Sequence, residues 1–283
     1  MKEPRVLVTG QRGFIGRRLV RYLRSQMPQA HIIDHEDPIP FGDPPLLRSF
    51  LKAIRPGTIF HLASHQGEAP STAQPLLEAL LQEKLDARVV FPGSAAEYGK
   101  VPPDQLPVRE DFPGKPLTPY GRAKESQTRL AKEYAQSGLH IVVVRIFNTI
   151  GKDAPEHTLI GSFLSKIQAA RVPSGDRTVV VGDLDIKRDF VDLEDVCRGL
   201  ALLAQFGISG EVYNICSGYS VALRAVLQQM IDASGTLIQV ASGSPLIATN
   251  PVADIYGSIE KTRAAVGWSP RYGWEEAVLR LFR

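Results

Sequence analysis

The stretch RVLVTGQRGFIG, Arg5 to Gly16, decides the fold of this chain. Its apolar first half is typical of a buried strand, and its second half sets Gly10, Gly13 and Gly16 before a basic amphipathic segment. Glycines at these positions permit a tight turn and a close backbone approach, and the first N–H groups of the following helix can bind phosphate. The stretch therefore predicts a strand, a pyrophosphate-binding turn and a helix.

An acidic residue ends the next apolar segment. Asp34 closes HIID, 18 residues past Gly16, where its carboxylate can accept hydrogen bonds from both hydroxyls of an adenosine ribose. Because a carboxylate there repels a 2′-phosphate, we expect NAD as the cofactor. Arg12 leaves NADP open, since a guanidinium in the glycine turn can reach such a phosphate, contact the pyrophosphate or simply stand in solvent.

Apolar, β-branched segments alternate with amphipathic segments along the first half of the chain. The further predicted strands are Ile59–Ala63, Arg88–Pro92 and His140–Ile146, and the predicted helices between them are Pro45–Ile54, Thr72–Leu85 and Pro119–Ser137. This alternation predicts an α/β fold with a Rossmann-type, doubly wound parallel sheet. We expect residues 1–150 to form a dinucleotide-binding domain and residues 151–283 mainly a smaller C-terminal substrate-binding lobe, with elements near 180–215 returning to the sheet.

Composition bounds the class of protein. The 283 residues are 43% hydrophobic and 22% charged, which is ordinary for a globular enzyme, and the net charge of +3 is scattered, which gives no support for a nucleic-acid partner. Cys197 and Cys216 are isolated and the six histidines show no metal-ligand spacing, so we expect neither a disulfide framework nor a metal. With no signal peptide and no apolar run of ~20 residues, we expect a soluble, cytoplasmic protein without membrane contact.

Three side chains carry the predicted chemistry. Tyr120 and Lys124 lie four residues apart in PYGRAK, a spacing that places both on one helix face. An ammonium beside a phenol, next to an oxidised nicotinamide, is expected to lower the phenol pKa, so that the phenol exchanges a proton with a substrate oxygen while hydride moves. Ser94, in GSAAEYG after a predicted strand, can hydrogen-bond the same oxygen. We predict these three as catalytic residues.

Together the motifs resemble the extended short-chain dehydrogenase/reductase family of nucleotide-sugar epimerases, dehydratases and reductases. The segments that carry the resemblance are TGQRGFIG (Thr9–Gly16), HLAS (His61–Ser64), GSAAEYG (Gly93–Gly99), YGRAK (Tyr120–Lys124), RIFNTIG (Arg145–Gly151), KRDFVDLEDV (Lys187–Val196), YNICSG (Tyr213–Gly218) and KTRAAVGWSP (Lys261–Pro270). The cofactor-binding residues that it implies are Gly10, Arg12, Gly13, Phe14, Ile15, Gly16, Asp34, Leu62, Ala63, Ser64, Tyr120 and Lys124.

The resemblance also implies substrate and partner contacts. Asn148 would contact the substrate diphosphate, Arg188 would pair with a phosphate, and Ser94 would touch the reacting sugar. Arg263 is a further substrate-binding candidate, or else a surface charge on a C-terminal helix. In this family, the helices that correspond to the predicted Thr72–Leu85 and Pro119–Ser137 form an intersubunit four-helix bundle. This implies a homodimer, unless the apolar faces of these helices are buried within one chain.

Within this family, the residues in the motifs are most similar to those of the branch that contains GDP-mannose 4,6-dehydratase and GDP-4-keto-6-deoxymannose reductase. Three departures stand against a full match. Ala96 occupies the place where the dehydratases carry an acid, with Glu97 one residue later; the segment His61–Ser94 is short; and Asn250-Pro251 replaces an Arg-Pro pair.

These observations predict an NAD(P)-dependent reductase of a 4-keto-6-deoxy sugar nucleotide, with a GDP-linked substrate favoured. A C4 epimerase with tightly bound NAD is the alternative, and a non-catalytic NAD(P)-binding protein is the second.

Overall fold

The computed structural model describes residues 4–33, 38–63, 72–171, 177–243 and 252–283. Its strands are β1 (Arg5–Thr9), β2 (His31–Ile33), β3 (Thr58–His61), β4 (Arg88–Ser94), β5 (His140–Ile146), β6 (Asn148–Ile150), β7 (Thr178–Val181), β8 (Lys187–Arg188), β9 (Phe190–Asp192), β10 (Val212–Ile215), β11 (Val221–Ala222), β12 (Gln239–Ser242) and β13 (Asp254–Ile255). Its α-helices are α1 (Phe14–Gln26), α2 (Pro44–Ile54), α3 (Ala73–Gln82), α4 (Pro119–Gln136), α5 (Leu159–Ala170), α6 (Leu193–Phe206), α7 (Leu223–Ser234), α8 (Glu260–Val266) and α9 (Trp274–Leu281). None of the helices in these ranges combines the length and apolar character that a membrane crossing requires.

The central sheet is parallel, with the strand order β10-β5-β4-β3-β1-β2. Successive side chains of a strand point to opposite faces, and both faces are buried here. Val6 and Val8 of β1 enter the core beneath α1 and α6, whereas Leu7 enters the core formed with α2, α3 and α4. Helices therefore cover both faces, and the predicted doubly wound α/β fold is confirmed.

The chain after residue 151 divides between this sheet and a second core. β10 pairs with β5, and α6 packs on α1, so this later part of the chain extends the sheet at one edge. A separate hydrophobic core lies among α5, α7, α9 and the two-stranded sheet β7–β12. The carboxyl ends of β1, β3 and β4 lie at one edge of the central sheet, which is where open α/β folds bind ligands.

Local sequence fixes where α4 begins at this edge. Pro119 occupies the first helical turn, where a proline costs no hydrogen bond, and the Thr118 hydroxyl accepts a hydrogen bond from the Gly121 amide at 3.0 Å. Tyr120 and Lys124 consequently fall in the first turns of α4, at the end nearest β4.

Candidate active site

The glycine turn between β1 and α1 is held by contacts that leave no room for side chains. Gly10 adopts a φ of +70°, and its carbonyl accepts a hydrogen bond from the Gly13 amide at 2.9 Å. A Cβ on Gly16 would lie 2.1 Å from the Gly10 oxygen, and one on Gly10 would lie 2.8 Å from the Leu62 oxygen and the Ala63 nitrogen. The turn, the start of α1 and the end of β3 thus approach one another at backbone distance, as a dinucleotide cradle requires.

The start of α1 offers backbone donors. No described side chain caps α1 at Gly13, so its first amides are placed to bind an anion such as a pyrophosphate. Phe14 and Ile15 are half-buried against the sheet, and Arg12 is exposed in the turn. These residues fit the predicted cradle. Two predicted cofactor contacts, Asp34 and Ser64, lie outside the described residues.

His61 at the end of β3 organises this cradle, a role that the sequence did not predict. Its Nδ1 lies 3.0 Å from Thr9 Oγ1, its Nε2 lies 3.1 Å from Thr72 Oγ1, and both hydroxyls also bond the backbone of Ala63, at 3.0 and 3.1 Å respectively. Because the Thr72 hydroxyl donates to the Ala63 carbonyl, it must accept from Nε2–H, which leaves Nδ1 as an acceptor. Burial, with a smaller effect of the Lys124 charge, lowers the pKa of His61 to about 3, so the ring is neutral.

The three predicted catalytic side chains converge at the ends of β4 and α4. Ser94 lies beside Tyr120 and lowers the pKa of its phenol, and Tyr120 as a whole remains 58% exposed. Lys124 is buried beneath them, and its ammonium donates to the Pro92 carbonyl at 3.2 Å. Ser94 and Tyr120 are therefore neighbours at the carboxyl edge of the sheet, and the Lys124 ammonium is bonded to the same end of β4.

The pKa of the Tyr120 phenol in the protein alone lies above its usual value. Surrounding protein atoms raise the pKa of Tyr120 by desolvation, the Ser94 hydrogen bond opposes this rise, and the Glu97 charge adds to it. Burial also lowers the pKa of the Lys124 ammonium, against the effect of Glu97, and the lowering of the phenol pKa beside an oxidised nicotinamide stays a prediction. In the protein alone the phenol is therefore held in its protonated form.

Glu97 is turned away from the open side of the site. It is fully buried in the short 3₁₀ turn Ala95–Glu97, where its Oε1 accepts the Ser94 amide at 2.7 Å. Its Oε2 accepts Arg145 Nε at 2.9 Å. Both carboxylate oxygens are occupied by protein donors, so Glu97 does not replace the acid missing at Ala96.

Arg145 continues a buried polar network towards β10. Its guanidinium lies 4.4 Å from the ring centre of Tyr98 and donates to the Glu110 carbonyl at 3.1 Å. The Tyr98 hydroxyl donates to the side-chain oxygen Oδ1 of Asn214 at 2.7 Å. The backbone amide of Asn214 donates to the Glu110 carboxylate at 2.9 Å. The segment that follows β4 is thereby tied to β5 and β10.

The predicted substrate-binding residues are placed in different environments. Asn148 is half-buried, and its Nδ2 donates to the Asp189 carbonyl at 2.9 Å. Arg188 is buried, and it donates to the carbonyls of Lys187 at 2.6 Å and Val252 at 2.8 Å. Arg263 is exposed on α8 in an ion pair with its neighbour one turn earlier. Their contacts with substrate stay predictions.

Asp189, between β8 and β9, is a further organising residue that the sequence did not single out. Its carboxylate accepts four hydrogen bonds, from the amide and hydroxyl of Ser217 and from the amides of Gly218 and Gly257, at 2.6 to 3.2 Å. Burial nevertheless raises its pKa to about 6. Asp189 joins the loop after β10 to the segment before α8.

The parallel sheet and the glycine cradle define a dinucleotide-binding protein of the Rossmann type. No group of acidic, histidine or cysteine side chains suited to a metal ion occurs in the described part of the chain. The sequence model of the NAD dependent epimerase/dehydratase family matches residues 6–216, and the chain belongs to that family.

Individual relatives span nearly the whole chain. GDP-6-deoxy-D-mannose reductase of Pseudomonas aeruginosa is 26% identical over 286 residues, which cover 94% of this chain and 92% of that protein. UDP-glucose 4-epimerase of Azospirillum brasilense is 26% identical over 321 residues, which cover 98% and 90%. The structure of RMD from Pseudomonas aeruginosa complexed with NADPH superimposes with a TM-score of 0.89 at 25% identity, covering 99% of this chain and 97% of that one.

Proposed function

We propose that this enzyme reduces the 4-keto group of a 4-keto-6-deoxy sugar nucleotide, with a GDP-linked substrate favoured. One observation supports the proposal: Glu97, the acid next to the predicted catalytic residues Ser94, Tyr120 and Lys124, is bound at both oxygens by the protein itself. The site can therefore protonate an oxygen, but it offers no carboxyl group from the Ser94 turn for eliminating water. The relatedness to a GDP-6-deoxy-D-mannose reductase supports the same substrate class.

Each side chain has a distinct task in this reaction. The Tyr120 phenol, kept protonated by its surroundings, donates its proton to the carbonyl oxygen of the sugar. The Ser94 hydroxyl hydrogen-bonds the same oxygen and orients it towards the phenol. The buried Lys124 would hold the ribose of a bound dinucleotide and supply a positive charge as the phenol loses its proton. A dinucleotide bound in the cradle would supply the hydride.

The cradle residues would hold that dinucleotide. The amides at the start of α1 suit the pyrophosphate, and the close approach of Gly10 to Leu62 and Ala63 suits a flat, extended ligand along the sheet edge. The preference for NAD over NADP rests on Asp34 against Arg12 and stays a prediction. A homodimer and a cytoplasmic location likewise stay predictions.

The direct assay supplies purified protein with GDP-4-keto-6-deoxymannose and either NADH or NADPH, and follows loss of the reduced dinucleotide by absorbance. We expect consumption that depends on the keto sugar and stops at stoichiometric product. GDP-mannose and dTDP-glucose are the controls. Loss of water from either parent sugar, detected by mass spectrometry, would contradict the assignment as a reductase.

A C4 epimerase is the second candidate, because UDP-glucose 4-epimerases align with nearly the whole chain. An epimerase oxidises and reduces the same carbon, so it retains its dinucleotide through purification and needs none added. Conversion of UDP-glucose to UDP-galactose without added cofactor would favour this candidate over the reductase.

A further inference from the structure

The Glu97–Arg145 ion pair is a costly feature that the proposed reaction does not use directly. Both side chains are buried, with 0% and 8% of their surfaces exposed. Burying two charges carries a desolvation penalty that their attraction often fails to repay, and hydrophobic pairs of similar volume are commonly as stable. Stability alone therefore gives a weak reason for this pair.

The geometry around the pair leads to the catalytic hydroxyl. Glu97 uses its second oxygen to accept the backbone N–H of Ser94, while the Ser94 hydroxyl accepts the Ala96 amide at 3.2 Å. The side chains of Glu97 and Ser94 thus accept backbone hydrogen bonds at opposite ends of the same turn. A Cβ on Gly93 would lie 2.5 Å from Glu97 Oε1, so this carboxylate packs directly against the end of β4.

The same turn is pressed against the helix that carries the phenol. A Cβ on Gly121, the residue after Tyr120, would lie 2.5 Å from the Ala96 carbonyl oxygen. The position of the turn therefore sets the distance between the Ser94 hydroxyl and the phenol. Arg145 fixes the other oxygen of Glu97 and is itself held by the Glu110 carbonyl, so the turn is anchored to β5.

We infer that Glu97, oriented by Arg145, is a positioning residue that holds Ser94 against Tyr120 through the Ser94 amide. The inference rests on the proposed function for its kinetic consequence. Neither side chain touches the substrate, so their effect is expected in kcat rather than in cofactor affinity.

Two double variants separate positioning from charge and from folding. Glu97→Gln/Arg145→Met removes both charges and keeps an oxygen that can accept the Ser94 amide. Glu97→Leu/Arg145→Met removes the charges and the acceptor, with a side chain of similar size. Because each variant exchanges the ion pair for a neutral pair, both avoid an unpaired buried charge, and thermal unfolding checks that both fold.

We expect the Gln/Met variant to turn over 4-keto-6-deoxy substrate at least ten-fold faster than the Leu/Met variant, with dinucleotide Kd values within two-fold of each other. Equal kcat values in two folded variants would overturn the inference, as would a difference confined to KM.

A second readout works without turnover. The Ser94 hydrogen bond lowers the pKa of the Tyr120 phenol, so displacement of Ser94 should leave that pKa higher in the Leu/Met variant than in the Gln/Met variant. NMR titration of ring-carbon-labelled tyrosine, assigned with Tyr120→Phe, measures it. If wild type reduces no 4-keto sugar, the proposed function fails, and this titration alone decides the inference: a higher value supports it and equal values overturn it.

Discussion

The proton-transfer centre and the predicted substrate side of this protein differ in how their residues are held. At the centre, Ser94 ends β4, and Tyr120 and Lys124 lie four residues apart in the first turns of α4. On the substrate side, Arg188 and Arg263 come from separate elements; one is tied to backbone carbonyls and the other lies in an exposed ion pair.

This difference shows which kind of sequence motif determines the relative positions of its side chains. A four-residue spacing on a helix fixes a shared face wherever the helix goes. An arginine in a two-residue strand has no such internal constraint, because what its guanidinium meets depends on segments far along the chain, here Val252. The following predictions test this contrast.

The largest effect is expected at the proton-transfer centre. Tyr120→Phe should lower kcat by about 10²–10⁴-fold, the usual contribution of general acid–base catalysis. Dinucleotide affinity should stay within a few-fold, since the phenol acts on the substrate oxygen. Steady-state rates paired with a cofactor titration check both parts. A Phe variant that keeps more than about a tenth of the wild-type rate removes Tyr120 from the mechanism.

The cradle should be nearly as sensitive. Gly16→Ala places a Cβ where the Gly10 oxygen lies 2.1 Å away, so the turn must open and dinucleotide affinity should fall at least ~10-fold. Gly42→Ala is the matched control, because a Cβ there meets nothing within 4 Å. Fluorescence titration with the reduced dinucleotide measures both. Unchanged affinity in Gly16→Ala would show that this turn does not bind the cofactor.

Substitutions of the two arginines on the substrate side should differ in their effect on the free energy of unfolding. Arg188→Gln loses two charge-assisted hydrogen bonds in a buried place, and we expect a loss of about 2 kcal/mol in the free energy of unfolding. Arg263→Gln should change it by less than about 0.5 kcal/mol, as exposed pairs do. Urea unfolding measures both, and KM for the sugar nucleotide then reveals whether either guanidinium also binds substrate. Equal stabilities would contradict the structural role given to Arg188.

His61 should make stability depend on pH. Its pKa is about 3 in the folded protein and about 6.5 when unfolded, so between these values the unfolded chain binds more protons and folding weakens as pH falls. From pH 6.5 to 5 this amounts to about 2 kcal/mol. Asp189 and Asp192, with pKa values raised to about 6, act in the opposite sense.

The comparison of wild type with His61→Gln therefore isolates the histidine. Unfolding free energies of both proteins are measured at pH 7 and pH 5. Wild type should lose about 2 kcal/mol more than the variant over this interval. Parallel losses would mean that His61 is not held neutral between Thr9 and Thr72.

The sequence was sufficient for the central sheet. Arg5–Thr9 and His140–Ile146 have the bounds that their β-branched runs predict, because strands buried on both faces have near-continuous apolar sequences. The two-residue strands β8, β11 and β13 were missed, since they are defined by pairing with one another in a small sheet rather than by apolar runs of their own.

The buried polar residues were equally beyond sequence reasoning. In the sequence, Glu97 is only one charged residue of a motif. Its structural role depends on Arg145, which lies 48 residues later on a neighbouring strand. His61 belongs to the segment predicted to contact the cofactor, but its bridge between Thr9 and Thr72 is a tertiary contact that the sequence does not reveal.

Deuteride transfer tests the central claim most directly. The protein is incubated with a 4-keto-6-deoxy sugar nucleotide and reduced dinucleotide carrying deuterium at its transferable position, and the product is analysed by mass spectrometry and NMR. The account predicts a 6-deoxy sugar nucleotide with one deuterium at C4 in a single configuration and one solvent proton on its oxygen. Recovery of unlabelled keto sugar with no oxidised dinucleotide, or a label at any other carbon, would contradict it.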